Sequence, residues 1–98
     1  MSKVYVLVRG DLSRSQQAVQ ACHATSVLVN TLSLNWSHQT MVVLKVKDLT
    51  DLLIWRERII ANKQTIVQFD EPDLNDETTA IAAYGPELDG MLAYLPLL

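Results

Sequence analysis

The chain has 98 residues, 49% of them hydrophobic, with eight Lys and Arg against eleven Asp and Glu for a net charge of −3. That length makes one domain with one modest core, and the apolar fraction excludes an intrinsically disordered chain. The acidic balance excludes a general nucleic-acid binder, whose footprint is basic, so any RNA contact must be made through a local patch.

Cys22 is the only cysteine, which rules out an intrachain disulfide or a thiolate metal cage and suits a reducing compartment. The N-terminal apolar run stops at Arg9, too short for a signal peptide, and no apolar stretch approaches the ~18 residues of a membrane span. The expectation is a cytoplasmic protein with no membrane partner.

Val4 to Val8 is a β-branched and aromatic run that reads as a strand buried on both faces, ended by the turn at Arg9-Gly10-Asp11-Leu12. Ser13 or Ser15 can cap a helix from Gln16 to about Leu32. Its expected inner face carries Ala18, Ala21, Cys22, Thr25, Leu28 and Val29. Leu34 to Gln39 reads as a polar loop carrying Trp36. Thr40 to Val46 is a second strand, with Lys45 and Lys47 turned outward.

Asp48 caps a second helix whose apolar face is Leu49, Leu52, Leu53, Ile59 and Ile60, and Asn62 is its expected left-handed C-terminal residue. Arg56, Arg58 and Lys63 read as its solvated side. Thr65 to Phe69 is a third strand, Asp70 to Glu77 an acidic loop, and Thr78 to Tyr84 a fourth strand ended by Gly85-Pro86. The apolar segment Met91 to Leu98 either packs on the core or forms a dimer surface. The order β-α-β-α-β-β predicts right-handed parallel crossovers and a last antiparallel pair.

Four segments, in this order, resemble the archaeal/eukaryotic-type peptidyl-tRNA hydrolase family. Val6-Leu7-Val8-Arg9-Gly10-Asp11-Leu12 is similar to the family's Val-Val-Arg-Thr-Asp-Leu. Ala18-Val19-Gln20-Ala21-Cys22-His23-Ala24 is similar to its Ala-Ala-Gln-x-x-His-Ala. Trp36 with Gln39-Thr40-Met41-Val42-Val43-Leu44-Lys45-Val46 is similar to its Trp and Gly-Gln-x-Lys-Val-Val-Leu-Lys-Val. Thr79-Ala80-Ile81-Ala82 with Gly85-Pro86 is similar to its Thr-Val-Leu-Ala-Ile-Gly-Pro, and Leu97-Leu98 matches a family ending. The matches are colinear over nearly the whole chain.

The resemblance implies a three-layer α/β sandwich with a mixed four-stranded sheet, often dimeric, that cleaves the ester joining a peptide to tRNA. Two segments depart from the family. Its lysine-rich loop before the first helix is replaced by Leu12-Ser13-Arg14-Ser15-Gln16-Gln17, where Arg14 is the cation. Its Asp-Ala-Gly-x-Thr-Gln is replaced by Phe69-Asp70-Glu71-Pro72-Asp73-Leu74, where Glu71, or its neighbour Asp70, aligns with the family Asp. A compact branch with Gln-Gln-Ala-Val-Gln-Ala and Glu-Pro-Asp in these places is the nearer likeness.

Ester hydrolysis needs a positioned water, a base or polariser and a donor for the oxyanion. The candidates are Glu71 or Asp70 for the water, and Thr79 or amides at the start of the first helix for the oxyanion. Arg14 stands in for the lysine as a cation. Arg9, with Arg14, is a candidate for holding a phosphate of the tRNA 3′ end, and Asp11, Gln20 and His23 join the substrate side through the motifs they sit in. Asp11 also reads as a turn residue, His23 as a packed structural histidine, and Cys22 as a small core residue. No cofactor, metal or DNA partner is expected. The alternative to a hydrolase is a non-catalytic module on the same fold that binds tRNA ends or a protein.

Overall fold

The computed structural model describes residues 3–32 and 40–98, so the expectations placed on Trp36 and its loop lie outside the described residues. The elements run β1 (Lys3–Arg9), α1 (Arg14–Leu32), β2 (Thr40–Val46), α2 (Leu49–Ala61), β3 (Thr65–Glu71), β4 (Glu77–Tyr84) and the short helix α3 (Leu88–Met91). The sheet order is β2-β1-β4-β3. β1 and β2 are parallel, and β4 runs antiparallel to both β1 and β3. This is a mixed four-stranded sheet between helices, as the element order predicts.

Alternation along β1 divides its side chains between two cores. Val4, Val6 and Val8 join Ala24 and Leu28 of α1 with Ala80 and Ala82 of β4. Tyr5 and Leu7 join Leu52 and Ile59 of α2 with Leu88, Leu92 and Ile81. The alanines of β4 leave room for helices to pack closely on its two faces. β1 and β4 are central and buried, which is why they read as near-continuous apolar runs.

Asp48 caps α2 as expected, its side chain accepting the Asp51 amide. Ser13, rather than Ser15, caps α1: its hydroxyl accepts the Gln16 amide at 3.3 Å.

Several local expectations are corrected. Asn62 keeps φ at −89°, and Lys63, at +59°, takes the left-handed position. The buried face of α1 is Gln20, Ala24 and Leu28. Ala18 and Cys22 are exposed, because the helix turns a polar residue inward and carries them out of the core. Ile60 is 48% exposed, and Arg56 is half-buried against Gln68.

The C-terminal segment does pack on the body. Leu92 is buried, and Leu97 bridges Leu44 of β2. Lys45 donates its amide to Pro96 at 2.8 Å, and Leu98 donates to Val43 at 3.1 Å, so the segment covers the outer edge of β2. Among the described residues no helix is long and apolar enough to cross a membrane.

Candidate functional site

The β3–β4 pair sets the first group of candidates. Phe69 pairs with Ala80, but Asp70 pairs with Thr78, so β4 carries one extra residue, Thr79, at a bulge. The bulge turns Thr79 toward α1, where its hydroxyl donates to the Gln20 side-chain oxygen at 2.7 Å. The Gln20 side-chain nitrogen in turn donates to the Gln16 oxygen at 3.0 Å. Thr79 and Gln20 are both fully buried. His23, one turn on, stacks on Phe69 with ring centroids 4.4 Å apart. It is a surface residue seated on β3.

Asp70 and Glu71 part company. Val67 and Phe69 pack in the α1-side core, so alternation places Glu71 on that side and Asp70 on the other. Asp70 there accepts the Thr78 hydroxyl at 2.7 Å and the Gln68 amide at 3.0 Å. Gln68 in turn accepts from Arg56 at 2.8 Å. Glu71 is half-buried, with its backbone oxygen accepting the Asp76 amide.

Arg9 is a clamp. Its side chain is only 9% exposed and makes a two-pronged ion pair with Asp11, Nε to Oδ1 at 3.0 Å and Nη2 to Oδ2 at 2.8 Å. Nη1 reaches Glu77 at 2.7 Å and the Thr78 carbonyl at 3.2 Å. The end of β1 is thereby tied to the start of β4. The Asp11 hydrogen bond is the main reason the guanidinium is held above its ordinary pKa. The same contact holds the Asp11 carboxyl below its usual range. With these bonds made, Arg9 has little left to offer a ligand.

Arg14 lies elsewhere. It is nine residues before His23 on α1, which at about 100° per residue puts the two on opposite sides of the helix. Arg14 lines a cavity of about 490 Å³ with Gly10, Gln17, Ala18, Lys45 and Leu98. The structure therefore brings Thr79 together with Gln20, and Arg9 with Asp11. It does not bring Arg14 to Thr79. Lys45 shares the Arg14 cavity, which its place in the sequence does not signal. An outward lysine near the end of a strand looks like solvent-facing charge, and only the fold, which brings the first turn of α1 to the end of β2, makes it Arg14's neighbour.

No family model matches the chain, and no curated protein matches it. Among solved structures, a protein of unknown function from Agrobacterium tumefaciens is similar with a TM-score of 0.77 and 17% sequence identity, covering 99% of this chain and 97% of that one. At that identity the likeness shows a shared fold.

Proposed function

We propose that this chain is a peptidyl-tRNA hydrolase-like domain that recognises the 3′ end of a tRNA as a binding module rather than as a hydrolase. The observation that carries the reading is the Gln16–Gln20–Thr79 hydrogen-bond chain. The Thr79 proton is committed to Gln20, and neither glutamine side chain can ionise. The cation that replaces the family lysine sits on the far flank of α1, and a guanidinium stays protonated, so it cannot act as a base. What it can do is bind phosphate.

A cytoplasmic location accords with this reading. So does a homodimer, since Tyr94 and Leu97 are 95% and 72% exposed and offer apolar surface for a second copy to cover.

Hydrolysis is the second reading, and one observation favours it: Glu71 lies on the same side of the sheet as Thr79 and Gln20. The test pairs two measurements on purified protein, the salt dependence of tRNA binding and the release of peptide from a peptidyl-tRNA. Binding that weakens with salt, without release, supports the module. Release that Glu71→Gln abolishes supports the enzyme.

A further inference from the structure

We infer that Arg14 and Lys45 form a phosphate subsite for the terminal nucleotide of an RNA, walled on one side by Leu98. The inference rests on the tRNA-end reading above and deepens it by naming where the phosphate sits.

Both cations line one cavity of about 490 Å³ between the first turn of α1 and the end of β2. Neither has a carboxylate partner among the described residues. The first turn of α1 holds no acidic residue, so nothing in that turn opposes an anion.

Lys45 is held in place. A Cβ built on Gly10 would lie 2.9 Å from its Cγ and Cδ and 3.0 Å from the Val46 carbonyl. The lysine stem therefore runs over the bare glycine backbone, and the Lys45 backbone is further fixed by the hydrogen bond its N–H donates to the Pro96 carbonyl. A side chain seated this way loses less freedom when it binds.

Lys47 and Asp51 line the adjoining cavity, which shares Gly10 and Lys45 with the first. Asp51 caps the Lys47 amide at 2.9 Å, and Asp11 is taken up by Arg9. The side-chain carboxylates of Asp11 and Asp51 thus have partners of their own, and Leu98 makes no ion pair with either cation among the described residues. Leu98 adds an apolar wall suited to a sugar or base beside the charged end. An acidic protein that touches RNA must do so through a local patch, and this is a place where two unpaired cations share a concavity.

The test is titration of the full chain with a 5′-phosphorylated CCA trinucleotide at low salt, with inorganic phosphate alongside it. Arg14→Gln and Lys45→Met each remove one charge from the surface, and Lys45→Met keeps the stem over Gly10. Lys63→Gln removes a cation elsewhere. Each subsite variant is expected to weaken trinucleotide binding at least about tenfold and to lower the salt slope by about 1, with Lys63→Gln unchanged. Variants that bind within twofold of the parent overturn the subsite while leaving tRNA recognition standing. A chain that binds no trinucleotide at all overturns both. Equal affinity for inorganic phosphate and the trinucleotide overturns the nucleotide assignment.

Discussion

Thr79 and Gln20 are 59 positions apart in the chain, yet the threonine hydroxyl lies 2.7 Å from the glutamine side-chain oxygen, with both residues sealed from solvent. The bond joins α1 to the bulge in β4 and orients the Gln20 amide toward Gln16. Replacing Thr79 with Val keeps the shape and leaves the Gln20 oxygen buried without its donor. A loss of about 1–3 kcal/mol is expected, read as a lower urea midpoint at unchanged slope. Thr79→Ser restores the donor and is expected to recover most of that loss.

Arg9→Lys tests the clamp at the end of β1. Lysine keeps the charge but not the fork that meets both Asp11 oxygens while reaching Glu77 and Thr78. A loss of about 1–3 kcal/mol is expected from the hydrogen bonds forgone. The same site shapes the acid limb of stability. Asp11 titrates below its ordinary value in the folded chain, so its contribution is full above the unfolded carboxyl pKa of about 3.9 and is lost as pH falls through the lower folded value. Arg9→Met is expected to flatten that part of the curve in urea titrations at stepped pH.

Tyr5 tests the alkaline side. Its phenol is pushed up to about 12, first by burial and then by its hydrogen bond to Asp89, whose carboxylate also pairs with Lys3 at 3.0 Å. The folded value exceeds the unfolded value of about 10, so the contribution is complete below pH about 10 and is lost as pH rises toward 12. Ultraviolet difference titration of the folded chain is expected to show the Tyr5 phenol ionising at about 12, and Tyr5→Phe to remove that step.

The elements were legible because their patterns are local. The β-branched run of β1, the outward Lys45 of β2 and the Asp48 cap mark their own places, and the strand–helix–strand order implies the parallel pair. The orientation of α1 was not legible. A reading that seeks apolar faces puts Cys22 inside, whereas the helix buries Gln20, whose partner is a hydroxyl far along the chain. A buried polar residue is recognised only when its hydrogen-bond partner is known.

The two acidic candidates were inseparable in sequence for a related reason. Adjacent strand residues face opposite ways, and continuing β3 through Asp70 and Glu71 rather than ending it at Phe69 is what parts them. Arg14 likewise reads as the cation of one site with Glu71 and Thr79 until the turn of the helix carries it to the β2 side.

The proposed binding module holds a tRNA end and leaves the ester intact. Single-turnover mixing of peptidyl-tRNA with excess purified protein tests it most directly, following bound RNA and freed peptide in the same samples. A binding module gives a salt-sensitive complex from which peptide is lost no faster than without protein. Rapid liberation of peptide, with loss of that activity in Glu71→Gln, would contradict it.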